Sequence, residues 1–286
     1  MKLCAVFVAA ACVVAGWTAA APALAGVPVW QSVLAPPPAP AAARTGEFEV
    51  AGVRLHYAVY GQGTPVLLLH GGMGHGGHWS QQIAALTDAG FQAIALDSRG
   101  HGRSGRDPAP MHYARMADDA VALLDHLGID RVTVVGWSDG GIVGLDLAVR
   151  HPQRLSRLLA FGANYRTDGI RLDLEQDPTG DAYGKLAQRD YLALSPTPEA
   201  FDDFMAAMGA MWKSEPDFSD AQLAAIRAPV LVAAGYHEEY IRLDHTLALA
   251  QRIPGAELAI LPGMSHFGPW QAPALFNAVM IDFLRR

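Results

Sequence analysis

The sequence predicts an α/β fold: a mostly parallel central sheet with helices on both faces and a helical insertion. Two observations carry this. Unbroken apolar runs of strand length recur at PVLLLH (65–70), FQAIALD (91–97), RVTVVG (131–136) and PVLVAAG (229–235), and segments with helical spacing lie between them. A strand covered on both faces reads as a continuous apolar run, whereas one with a wet face alternates. Glycine-rich stretches also follow three of these runs, and in open parallel sheets ligands bind beyond the carboxyl ends of the strands.

Taken in order, EFEVAGVRLHYAVYG (47–61) reads as two strands around a turn at Gly52. MADDAVALLDHLGI (116–129) places Val121, Leu124 and Leu127 on one helical face and stops at Gly128. GIVGLDLAVRHP (141–152) is a helix ended by Pro152, and LSRLLAFGA (155–163) and AELAILPG (256–263) continue the alternation. Residues from about 165 to 228 break the rhythm, being rich in Asp, Pro, Met and aromatics, and are expected to fold as a lid. There Phe201, Phe204, Met205, Met208, Met211 and Trp212 share one helical face. That stripe either fastens the lid to the core or lines an acyl pocket, with Met208 and Trp212 the candidates for substrate contact.

The N-terminus opens with Met1-Lys2, continues through an uncharged Ala/Val-rich stretch and reaches Ala23-Leu24-Ala25, the pattern of a cleaved secretory signal. Residues 1–25 are therefore expected to direct export to the periplasm or medium, with no stable membrane anchor after cleavage. Both cysteines, Cys4 and Cys12, fall within that segment, so the roughly 260 remaining residues have no disulfide, thiolate metal site or cysteine nucleophile. Residues 26–46 are Pro/Ala-rich and read as a linker ahead of a domain spanning 47–286. The formal net charge of -7, without a basic stripe, argues against a nucleic-acid partner.

Gly136-Trp137-Ser138-Asp139-Gly140 matches G-x-S-x-G between an apolar strand and a helix, the context of a strained nucleophile elbow. A serine hydroxyl needs a base to take its proton and a carboxylate to orient that base. His266, in the loop after the last strand, is the candidate base. Glu238 is the candidate acid at the end of PVLVAAG, with Glu239 and Asp244 as alternatives. The oxyanion requires two N–H donors. One is the backbone of Asp139; the other comes from HGGMG (70–74), with Gly72 ahead of Met73. Met73 and Trp137, flanking these groups, are further candidates for substrate contact. His70, His75 and His78 could suggest a metal cluster, but no acidic or thiol ligand accompanies them in sequence, so neither a metal nor an organic cofactor is expected.

LLLHGG, LDSRGHGRSG, GWSDGG, GMSHF and a terminal FL occur in the order found in the α/β-hydrolase family, which the chain resembles from about residue 47 to 286. The resemblance implies a covalent acyl-enzyme on Ser138 with His266 as base, and gives Asp97, Arg99 and Ser104 a structural part in the DSRGHGRS turn. Many members have Asp in a G-x-x-D motif where this chain has Glu238. GWSDGG with FGAN (161–164) is similar to the valacyclovirase-like branch, where the acid after the serine is thought to hold a substrate amine. Asp139 is thus a candidate specificity residue, although an acid in the first turn of a helix is also favoured by the macrodipole.

The function expected is an exported serine hydrolase of small to medium carboxylic esters. Amino-acid ester hydrolase, amidase, lactonase, carbon–carbon bond hydrolase, cofactor-free perhydrolase and a non-catalytic binding protein are the alternatives.

Overall fold

A computed structural model describes residues 26–171 and 178–286; the expected export segment lies outside them. In chain order the elements are β1 (Arg44–Val50), β2 (Val53–Tyr60), β3 (Thr64–Leu69), α1 (Ser80–Asp88), β4 (Phe91–Leu96), α2 (Tyr113–Leu127), β5 (Val132–Trp137), α3 (Asp139–Arg150) and β6 (Leu155–Phe161). They continue as α4 (Pro178–Leu194), α5 (Phe201–Ser214), α6 (Asp220–Ala225), β7 (Val230–Gly235), α7 (Leu243–Arg252), β8 (Glu257–Leu261), α8 (Gly268–Gln271) and α9 (Pro273–Arg285). The eight strands form one sheet in the order β1-β2-β4-β3-β5-β6-β7-β8. β2 is antiparallel to both of its neighbours, and the pairings from β4 through to β8 are parallel.

Strand sequence follows strand position. β5 and β7 are buried along their whole length, while the edge strand β1 alternates exposed and covered residues. The apolar residues divide into two cores, one on each sheet face. The first joins α2, α3 and α5 to β3, β5 and β6; the second joins α1, α8 and α9 to the opposite side. Fully burying one such leucine or valine stabilises the fold by about 1.5–3 kcal/mol, so two continuous cores readily hold the described residues, which include no cysteine. α2 ends where expected: Gly128 takes the left-handed conformation (φ 69°) that returns its N–H to the last turn.

The Pro/Ala-rich stretch before β1 does not hang free. Trp30 stacks on His237 at 4.0 Å, Gln271 Nε2 donates to the Ser32 carbonyl, and Val33, Ala39 and Ala42 pack against the second core. β1 begins at Arg44, slightly inside the expected linker. Apolar side chains in that stretch give it something to bury, which a reading of Pro and Ala content alone passes over.

Because the strands from β3 onward run parallel, their carboxyl ends lie on one edge, and the loops leaving them converge. Between β6 and β7 the chain leaves the sheet, and α4, α5 and α6 occupy the intervening segment.

Candidate active site

Ser138 sits between β5 and α3 with φ 53° and ψ -118°, a conformation L-residues rarely adopt. The flanking glycines make the turn possible. A Cβ on Gly140 would collide with the Leu69 carbonyl, and one on Gly136 with the backbone of Gly140. The Ser138 N–H is tied to the Phe161 carbonyl at 2.7 Å, and its carbonyl accepts from Gly141 and Ile142 at the start of α3. Met73, in the loop after β3, is also at positive φ (60°), and it lines the same cavity as Ser138.

His266 lies in the loop after β8 and is held from three directions. Its Nδ1–H donates to Glu238 Oε1 at 2.6 Å, its backbone N–H donates to Glu239 Oε2 at 2.7 Å, and its carbonyl accepts from Trp137 Nε1 at 2.8 Å. Burial alone would lower the imidazole pKa, but the Glu238 charge and hydrogen bond, with the charges of Glu239 and Asp139, outweigh it and leave the value raised above 6.5. Glu238 is buried in the loop after β7, where its Oε1 also accepts from the Tyr240 and Ile241 N–H groups. Glu239, adjacent in sequence, does not face the ring; its other oxygen accepts from Thr179 Oγ1 at the start of α4. Asp244, the remaining alternative, is an exposed residue paired with Arg242.

Asp139 is buried, and its carboxylate reaches across to other elements. Tyr113 Oη donates to it at 2.8 Å and Trp212 Nε1 at 3.0 Å. Burial raises its pKa, against the opposing effect of those two donors. Gly72 lies against Asp139 and Trp212: a Cβ there would meet the Trp212 ring and Asp139 Oδ2. The Gly72 carbonyl accepts from Tyr183 Oη at 2.7 Å, which ties the loop after β3 to α4.

Ser138, His266, Asp139, Gly72, Met73, Trp137 and Trp212 all line one cavity of about 390 Å³, together with Tyr113, Asn164, Tyr183, Tyr240 and Phe267. Among the described residues that line it are two acids, Asp139 and Glu215, and no Lys or Arg. Met208 is not part of the lining. It is fully buried in the first core beside Phe204 and Met211, so the expected substrate contact is corrected: this part of the stripe fastens α5 to the sheet, and only its end, Trp212, reaches the cavity. Trp137 belongs to the second core and spends its indole N–H on the His266 carbonyl, making it a support of the histidine loop as much as a wall.

Several residues here escaped the sequence reading. Gly162, at the end of β6, has φ 62°, and a Cβ would lie 3.0 Å from the His266 ring. Its position in FGAN after a strand was the available sign. Tyr113, Thr179 and Tyr183 come from helices far away in sequence and carried no local mark. The DSRGHGRS residues are braces: Asp97 accepts from the Gly76 and Arg103 N–H groups, Ser104 Oγ donates to the Asp97 carbonyl, and Arg99 makes a buried two-pronged pair with Asp119. The histidines after β3 do have an acid beside them after all, since α4 brings Asp190 Oδ2 to 3.2 Å from His78 Nε2.

A family model described as the alpha/beta hydrolase fold matches residues 64–203. A 2-hydroxy-6-oxo-6-phenylhexa-2,4-dienoate hydrolase from Comamonas testosteroni is 30% identical over 276 residues, which cover 85% of this chain and 96% of that protein. A putative carbamate hydrolase, RutD, from Caulobacter sp. (strain K31) is 35% identical over 249 residues, 77% of this chain and 90% of that one. Among solved structures, a hydrolase from Pseudomonas aeruginosa superposes with a TM-score of 0.68 at 28% identity, covering 85% of this chain and 99% of its own. With the sheet order, the elbow and near-full-length relatives in agreement, this chain belongs to the α/β-hydrolase family of enzymes.

Proposed function

We propose that the protein is a serine hydrolase of small carboxylic esters. Ser138 attacks the ester carbonyl as His266 takes its proton, and the same histidine protonates the leaving alcohol. Glu238 fixes the ring and stabilises the imidazolium, and the amides of Asp139 and Gly72 hold the oxyanion. Water, activated by His266, then releases the acid. The observation that carries this reading is the Glu238–His266 hydrogen bond at 2.6 Å beside a serine in an elbow conformation, with all three at one cavity wall or directly behind it.

The carbon–carbon bond hydrolases among the relatives act, by their name, on dienoates, which carry a carboxylate. Among the described residues lining the cavity there are acids and no Lys or Arg, which disfavours an anionic substrate and favours a neutral one. A second reading, an amine-bearing ester, draws support from Asp139: its buried carboxylate faces the cavity and would pair with an ammonium group.

Intact-mass analysis after fluorophosphonate treatment, with Ser138→Ala alongside, tests the chemistry. Single labelling that is lost in the variant, with turnover of nitrophenyl esters, is expected; a folded protein that neither labels nor turns over any ester sinks the reading. An aminoacyl ester and a dienoate in the same panel separate the substrate classes. Export rests on the sequence pattern of residues 1–25, and N-terminal sequencing of the mature protein tests it.

A further inference from the structure

We propose that His75, His78 and Asp190 bind a divalent cation of the zinc type, which fastens α4 to the loop that follows β3. His78 Nε2 lies 3.2 Å and His75 Nε2 lies 3.6 Å from the same oxygen, Asp190 Oδ2, and one ligand atom from each residue falls within 4.8 Å of the others. Zinc binds imidazole nitrogen and carboxylate oxygen at about 2.0–2.2 Å, so neighbouring ligand atoms of a tetrahedral shell stand about 3.4 Å apart. The two spacings to Asp190 Oδ2 bracket that edge. Two imidazoles and one carboxylate suit zinc and its transition-metal neighbours, while calcium and magnesium prefer an all-oxygen set.

The surroundings hold each ligand in place. His75 caps one tight turn, Gly76–Trp79, His78 lies within it, and the His78 ring packs edge-on against Trp270 at 4.9 Å. The Trp270 indole donates to the His78 carbonyl at 2.8 Å, which fixes the backbone below the ring. On α4, the Arg189 guanidinium occupies Asp190 Oδ1 at 2.8 Å and leaves Oδ2 facing the two histidines. Outer partners of this kind orient a ligand and are part of a working metal site. All three residues line a cavity of about 480 Å³ bordered by the 35–42 strap, which leaves room for water as a fourth ligand.

Chelation has identifiable costs. A cation on His75 Nε2 moves the ring proton to Nδ1, which now accepts from the Gly77 N–H, so that hydrogen bond is given up. On His78 the cation displaces the hydrogen bond from Nε2 to Asp190 and puts the ring proton on Nδ1, a buried atom without a partner among the described residues, at about 1–3 kcal/mol for an unsatisfied buried donor. Three metal–ligand bonds have to outweigh these losses. The gain for the molecule is a stronger tie between α4 and the loop after β3, in place of the His78–Asp190 hydrogen bond and beside the contact that Tyr183 makes.

Zinc chloride titrated calorimetrically into untagged, EDTA-stripped and dialysed full-length protein tests the site, alongside Asp190→Asn and His75→Gln. One equivalent bound at micromolar affinity or tighter is expected, weakened at least about tenfold in each variant, with a zinc-dependent rise in Tm in the unsubstituted protein alone. Cobalt substitution in the unsubstituted protein gives an independent reading: a four-coordinate visible spectrum without a sulfur charge-transfer band supports the site. No saturable binding below millimolar zinc, binding indifferent to both substitutions, or a sulfur band that assigns the ion to Cys4 or Cys12 would each overturn it.

Discussion

The loops at the carboxyl ends of the strands and the helices inserted between β6 and β7 meet across one cavity, yet they are specified in different ways. Each strand-end loop is set by its own few residues: the elbow by Gly136 and Gly140, the acid loop by Glu238 accepting from the N–H groups two and three residues on. The inserted helices contribute through single long-range contacts. Thr179 reaches Glu239, Tyr183 reaches the Gly72 carbonyl and Trp212 reaches Asp139. The first group fixes the positions of Ser138, Glu238 and His266, and the second sets the walls of the cavity beside them. Substitutions in the first are therefore expected to act on kcat, and those in the second mainly on KM.

The largest expected effect is that of Ser138→Ala, a loss of about 10⁶ in kcat, the scale found when a triad serine is removed. Steady-state ester hydrolysis measures it, and a loss of less than about 100-fold would remove Ser138 from the chemistry. Next come the adjacent glutamates, which sharpen the comparison because they differ only in what they touch. Glu238→Gln replaces the charged acceptor of the ring N–H with a neutral amide and is expected to lower kcat by about 10³–10⁴. Glu239→Gln leaves the ring contact in place, loosens the backbone grip on His266 and the tie to α4, and is expected to cost about tenfold. Equal losses would mean that the two acids act as one unit.

Gly162→Ala probes the same loop from below. The new methyl group would press on the His266 ring from a backbone held at positive φ, so a fall in kcat of about 10-fold to 100-fold is expected with a loss of about 1–2 kcal/mol in stability. Trp212→Phe, on the inserted side, keeps the bulk but removes a donor to Asp139. It should raise KM several-fold while kcat changes little. A large fall in kcat would show that α5 takes part in the chemistry and would erase the distinction between the two regions.

The same distinction explains what the sequence could reveal. β3, β5 and β7 were legible because burial on both faces demands continuous apolar runs, and the elbow position of Ser138 and the loop position of His266 were legible because each sits in a short motif. Glu238 could not be separated from Glu239 by sequence: neighbouring side chains in a loop point to different partners, and only the path of the His266 loop decides which one meets the ring. Met208 was misassigned for a related reason. A helical stripe identifies a buried face but not whether a core or a cavity covers it, and the difference between Met208 and Trp212 is one turn of α5. Asp190, 112 residues beyond His78, left no trace that local spacing could show.

The smallest effect is the pH dependence, and its sign follows from the groups facing His266. The ring must be neutral to act as base, and its pKa stands above 6.5 because Glu238, Glu239 and Asp139 outweigh the effect of burial. Activity should therefore rise with pH through an apparent pKa above 6.5. Stability runs the other way over the same interval: a histidine whose folded pKa is raised stabilises the fold fully below its unfolded value near 6.5, and that contribution is lost as pH rises through the folded value. Glu238→Gln removes the charge in direct hydrogen-bond contact with the ring and should move the kcat/KM limb down further than Glu239→Gln, whose charge meets the His266 backbone and not the ring. If the limb in both variants stays where it was, the group controlling activity is not His266, and the assignment of the base falls with it.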